Sequence, residues 1–200
     1  MRLPKGRPLL ASLLLIAFAA GCAGEPPPRD HPDIGFGHLP PIRLDVARIE
    51  VEQLARETRQ PPRVEHLFTP PPAQVAETWA RQRLQAASPN SERIARVIVR
   101  EASVIEVALP RTPGIRGAFT TDQSERYDAL AIVEVRILNA NGAFEGNAEA
   151  RAERSVTVPE NATLGQRESV WFKLTEDLFR DLDQELERNI RSALFRFVVL

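Results

Sequence analysis

Lysine is nearly missing from this chain: Lys5 and Lys173 are the only two. Arginine carries the rest of the positive charge, a pattern that genomic base composition accounts for. There is one cysteine, Cys22, so no disulfide can form within the chain. Histidine occurs three times, as His31, His38 and His66, and no two stand at the spacing of paired metal ligands. A nucleophile elbow and a phosphate-cradling glycine loop are both absent, which leaves the sequence no recognisable catalytic signature. Asp122, Glu125 and Asp128 read as a solvated loop flank rather than acid–base groups. The expectation is a protein that is not an enzyme and holds no metal or cofactor. No apolar run reaches the ~20 residues that a membrane-spanning helix needs.

What is present begins at the amino terminus. Arg2, Lys5 and Arg7 precede the apolar run Leu9–Ala20, and small residues then lead to Cys22. A charged start, a short apolar run and a small-residue cut make a secretory signal peptide. The ending Ala19-Ala20-Gly21-Cys22 resembles the lipobox of bacterial lipoproteins, with Ala19 where leucine is commoner. That resemblance implies cleavage before Cys22, attachment of diacylglycerol to its thiol and acylation of the new amino terminus. One acyl chain binds a bilayer only reversibly, and several on one residue hold it firmly. Ala23, where an aspartate would retain the protein at the inner membrane, implies the outer membrane, facing the periplasm.

Removing residues 1–21 from the 200 leaves 179, the size of one domain. The whole chain has 26 basic and 27 acidic residues. The signal holds three basic and no acidic ones, so the mature net charge is about −4, which argues against a nucleic-acid partner. Residues 22–41, the lipidated cysteine and a stretch with six prolines, read as an extended tether unable to build a core. Residues 42–200 read as a single domain.

Within it, Ile42, Leu44 and Val46 alternate with polar residues, and Ile49 and Val51 continue in the other phase, which predicts a bent strand. Val64, Leu67 and Phe68 are expected to cover a sheet edge. Val75, Ala76, Trp79, Ala80, Leu84 and Ala87 form a helical stripe that Ser88-Pro89-Asn90 ends. Ala95, Val97, Val99, Ile105, Val107 and Leu109 share one parity, in one bent strand or two. Tyr127 to Ile137 alternate most regularly, and Asn141-Gly142 marks a hairpin. The return strand sets Phe144, Gly146, Ala148, Ala150 and Ala152 on one face, small enough for a helix to lie close.

From about Glu168 to Phe195, apolar residues recur every fourth position from Val170 to Leu194. Each step of four advances the stripe by ~40°, so over the whole run it moves ~240° around the axis. Such a helix must bend, break or meet something beyond the sheet. The order β-α-β-β-β-α predicts an α+β two-layer sandwich: a four-stranded, mainly antiparallel sheet with two helices on one face. In element order, behind a lipobox and a tether, residues 42–200 resemble the lipopolysaccharide-assembly lipoprotein and the auxiliary lipoproteins of lipid-transporting ABC systems. The resemblance implies a non-enzymatic auxiliary or scaffold in envelope transport or assembly, with an envelope protein as partner. The alternative is a lipoprotein that binds lipid or a small molecule between helices and sheet. Pro110 to Ser124 is a long connection. Its Ile115, Arg116 and Phe119 either touch a partner or fold back on the sheet edge.

Overall fold

A computed structural model describes residues 32–110 and 123–199. Its first strands are β1 (Ile42–Leu44) and β2 (Arg48–Gln53). Helix α1 (Pro72–Arg83) follows, then β3 (Leu84–Ala86). Three long strands come next: β4 (Ile94–Ala108), β5 (Gln123–Leu138) and β6 (Phe144–Pro159). Helix α2 (Leu164–Ala193) ends the sequence of major elements. The larger sheet runs β2-β4-β5-β6, with β2 parallel to β4 and the other pairs antiparallel. This is the expected α+β arrangement, two helices over a four-stranded, mostly antiparallel sheet. A parallel pair needs a crossover, and α1 supplies it.

The expected first strand is two strands. Val46 N bonds Leu44 O at 2.8 Å in a tight bend between them. That bend lets β1 leave for a second, small sheet with β3. The same pairing stops α1 four residues before Ala87. Nothing at Arg83 breaks a helix locally, but Leu84 is extended (φ −108°, ψ 136°) because it pairs with Ile42. The chain's end joins this small sheet through the Leu44–Val198 bridge, and Val199 N donates to Arg43 O at 2.9 Å.

A bulge between Val99 and Glu101 corrects the parity read for β4. One extra residue moves every later side chain to the other face. Ala102 and Val104 therefore enter the core, and Ile105 is 41 % exposed. Past the end of β2, the chain around Arg63 covers the same strand: Val64 N donates to Val104 O and Glu106 N to Pro62 O. Val64 and Phe68 are buried there as expected, while Leu67 is exposed.

In β5, Tyr127, Ala129, Ala131, Val133, Val135 and Ile137 are all buried. The hairpin turns at Gly142, whose φ of +74° suits glycine. Asn139 Oδ1 accepts the amides of Asn141 and Ala143, both at 3.0 Å. A second register shift sets Phe144 opposite Leu138, so Phe144 is exposed rather than inward.

Helix α2 starts earlier than its apolar stripe, at a capping box: Thr163 Oγ1 accepts from Gln166 N, and Gln166 Oε1 from Thr163 N. It runs unbroken for 30 residues, about 45 Å. Leu174, Leu178, Leu182, Leu186, Ile190 and Leu194 are all buried. Rows spaced by four wind right-handed about a helix, and strands twist right-handed too, so the sheet turns with the stripe. Helix α1, on one flank, takes the remainder. Ala148, Ala150 and Ala152 lie beneath α2 and let it sit low. A Cβ on Gly146 would stand 3.1 Å from Leu194 Cδ2 and 3.6 Å from Phe197 Cε2.

The tether reading changes for residues 32–41. Ile34 and Phe36 are buried in the core cluster, and Phe36 N donates to Gln82 Oε1. The packed domain therefore begins ahead of Ile42.

Gly146→Val should lower stability by about 1–3 kcal/mol in urea unfolding, as overpacking does. Gly146→Ala should cost less, because the flexible end of Leu194 can yield to a single carbon.

Candidate functional site

Polar and aromatic groups gather at several places in the described domain. The first is a buried junction. Arg83, the last residue of α1, has a side chain only 1 % exposed. Its Nε donates to Asp183 Oδ1 at 2.6 Å, its Nη1 to the Pro40 carbonyl and its Nη2 to Glu187. Trp79 Nε1, one turn earlier, donates to the same Asp183 oxygen at 2.8 Å. One guanidinium thus joins α1, α2 and the segment leading into β1. The sequence carried a signal for it: Arg83 and Asp183 are charged residues beside the apolar stripes of their helices. Which carboxylate would meet which cation was not readable from stripe position.

The second place is the end of the sheet where Pro110 and Gln123 bound the long connection. Leu109 N donates to Ser124 O at 2.9 Å, so the ladder closes just inside that connection. Phe68 stacks on Trp171 with centroids 5.0 Å apart, and Tyr127 meets Trp171 edge-on at 5.5 Å. Trp171 Nε1 is buried with no hydrogen-bond partner among the described residues. The Tyr127 hydroxyl donates to Glu125 Oε2 at 2.7 Å and accepts from Arg167 Nη1 at 2.9 Å. Burial first, then the Glu125 carboxylate, push the Tyr127 pKa up to about 12. Asp128 lies on the other face of β5, bonded to Arg126 and Ser155. Glu125 and Asp128 therefore do not converge.

The third place is a groove of about 510 Å³ between the segment 32–39 and α2. Phe36 and Phe172 give it aromatic walls, and Asp183 and Glu187 of the junction reach its lining.

The sheet face away from the helices is a lattice of charges. Glu134, 2 % exposed, is bracketed by Arg100 and Arg136 and accepts from Asn147 Nδ2 at 3.0 Å. Burial alone would raise its pKa, but Arg136, Arg100 and Asn147 together hold it below the usual carboxylate range. Among the described residues no group of three or more His, Cys, Asp or Glu could hold a metal ion, and no helix is long and apolar enough to cross a membrane. The sequence-predicted site residues Cys22, Ile115, Arg116 and Phe119 all lie outside the described residues.

No protein-family model matches the chain, and no curated protein matches it in sequence. Solved structures do resemble it. The minor lipoprotein from Acinetobacter baumannii is 12 % identical with a TM-score of 0.38, over 78 % of this chain and 98 % of that one. The PelC dodecamer from Paraburkholderia phytofirmans is 17 % identical with a TM-score of 0.25, over 71 % and 90 %. Lipoprotein GNA1162 from Neisseria meningitidis is 13 % identical with a TM-score of 0.21, over 69 % and 99 %. Two of these three neighbours are described as bacterial lipoproteins. At these identities and TM-scores the likenesses carry no argument about function.

Asp183→Ala would leave Arg83 and Trp79 Nε1 without their shared acceptor. Removing one partner of a buried ion pair costs about 3–5 kcal/mol, a large share of a domain's stability, and urea unfolding should show a loss of that size. Tyr127 is the only tyrosine in the chain, so its phenolate absorbance can be followed alone. Its titration should centre near 12 in the folded protein, against 10.0 for the unperturbed group. Folding holds this phenol neutral. Its contribution to stability should be intact below pH 10 and disappear as the pH rises through about 12.

Proposed function

We propose that this chain is a membrane-anchored lipoprotein, with a domain that serves as a non-enzymatic auxiliary or scaffold in envelope transport or assembly. The observation that carries the anchoring is the run Leu9–Ala20 ending in Ala19-Ala20-Gly21-Cys22. A thiol at that cut is the attachment point for diacylglycerol, and several acyl chains on one residue make the attachment lasting. The outer membrane, facing the periplasm, is the location this reading favours.

Two features of the described domain support a scaffold. Its charged groups are largely engaged with one another in ion pairs, as at Arg83–Asp183 and Arg100–Glu134. Space between helices and sheet, where a lipid or small molecule would sit in the alternative reading, is taken by Leu178, Leu182 and Leu186, each fully buried. The docking role proposed for Ile115, Arg116 and Phe119 stands on the sequence alone.

Cys22→Ser tests the anchor. The unaltered protein should sediment with membranes after cell breakage and incorporate a labelled fatty acid. The variant should lose the label and either stay unprocessed or appear in the soluble fraction. Membrane sedimentation of the variant at the original level, together with an unlabelled parent protein, would overturn the proposal.

A further inference from the structure

Strand β6 is an edge of the larger sheet: β5 lies on one side of it and, among the described residues, no strand lies on the other. Successive residues of an antiparallel strand turn their main-chain N–H and C=O to opposite sides. Two bonds show which residues of β6 face outward. Asn189 Nδ2 donates to Glu149 O and Arg196 Nη2 to Glu145 O, both at 2.8 Å. The register with β5 is unbroken from Asn147 to Val158, so Arg151, Glu153, Ser155 and Thr157 face outward as well. Among the described residues nothing bonds their outward main-chain groups, and all four residues are exposed.

Helix α2 treats the two halves of this edge differently. Its C-terminal part overhangs the half at Glu145 and Glu149, where Asn189 and Arg196 cover the carbonyls. Its N-terminal part sits back from the other half. A hollow of about 330 Å³ remains there, between Ser155 and Val156 of β6 and Val170 and Leu174 of the helix.

A bare edge is a template for another strand, and cross-strand charge decides which strand it accepts. On the face away from the helices, the open half carries Arg151 and Glu153, 55 % and 60 % exposed. Their bond within the chain is an exposed pair, so re-pairing costs little. An antiparallel second copy of β6 sets outward residues opposite outward residues. A dyad at Ala152 places each Arg151 opposite Glu153 of the other copy, which gives two attractive pairs. A dyad at Arg151 or Glu153 sets like charges against each other. One at Ala150 runs the ladder into the half that α2 covers, and one at Arg154 pairs no charges. The dyad at Ala152 also carries the overhanging Asn189 end of one α2 to the hollow beside Ser155 of the other copy. What projects on one copy meets what is hollow on the other.

We propose that the open half of β6, from Arg151 to Thr157, is the surface through which two copies of this chain join edge to edge, their sheets made continuous by Arg151–Glu153 pairs across a dyad. The proposal stands on β6 and α2 and does not draw on the anchoring or scaffold reading.

The test uses the full chain in a neutral detergent. Light scattering, corrected for bound detergent, should give twice the mass of one chain. A monomer at about 100 µM, where an interface of micromolar affinity is filled, would leave this edge to a strand of some other protein and overturn the proposal. Glu153→Arg changes an exposed side chain and should raise the dissociation constant in sedimentation equilibrium by at least about tenfold, since two attractive pairs become repulsive. Arg151→Glu/Glu153→Arg restores opposite charges and should restore the dimer. A dimer indifferent to the single variant, or one that the double variant fails to recover, would overturn the proposal. The register is read by mild oxidation of chains that carry Cys22→Ser, so that the introduced thiol is the only one. Arg151→Cys mixed with Glu153→Cys should form a disulfide, because directly opposite residues stand about 5.5 Å apart. Either variant alone is offset by two residues and should not. Equal linking in the separate variants would also overturn the proposal. Anchoring is read by fractionation and fatty-acid labelling, pairing by mass and cross-linking, so failure of one does not imply failure of the other.

Discussion

A guanidinium with a side chain 1 % exposed must find its anions inside the protein, and Arg83 finds them on a helix a hundred residues away. Water is excluded, so no solvent can replace a lost partner, and the cost of separating the pair is high. All three described bonds of Arg83 reach other parts of the chain: Asp183 and Glu187 on α2, and the carbonyl of Pro40. The junction therefore sets how α1 lies beside α2 and where the chain enters β1. Hydrophobic burial is non-directional, so it fixes the relative setting of the two helices less sharply than a directional bond does. The Arg83–Asp183 bond adds a directional contact between them.

Helix α2 depends on a second constraint, the small size of the residues beneath it. Alanines at 148, 150 and 152 and glycine at 146 leave room for a helix bearing leucine at every fourth position. Larger side chains on β6 would lift the helix and pull Asp183 away from Arg83. Packing and the buried pair are thus one arrangement seen from two sides. The same close approach brings Asn189 and Arg196 to the edge strand, where they donate to the carbonyls of Glu149 and Glu145.

This arrangement bears on function through what it leaves available. Core volume is filled, and the helix-free face is cross-linked by ion pairs around Glu134. The groove where the entering chain crosses α2 sets apolar walls beside carboxylates that are themselves ion-paired, Asp183 and Glu187 with Arg83 and Glu176 with Lys173.

Much of this was legible in the residues. The resemblance of Ala19-Ala20-Gly21-Cys22 to a lipobox is local and needs no fold to be read. Alternation in β5, the Asn-Gly turn and the stripe of α2 follow from periods of two and four, which local geometry dictates. Other features needed three dimensions. The bulge after Val99 reversed the outward and inward sides of β4; Glu101 and Ser103 interrupt the apolar parity there, but an interruption alone does not say that one extra residue is inserted. Helix α1 ended at Arg83 only because Leu84 found β1. Ile34 and Phe36 looked like tether and became core because α1 offered them a surface. The α and β periods and most of the apolar faces belonged to the sequence, because each depends on neighbours a few residues apart. Pairings of Arg83 with Asp183 and of β1 with β3, and the groove that results, were decided by the tertiary structure. Residues distant in the chain carry no local record of which partner burial will bring to them.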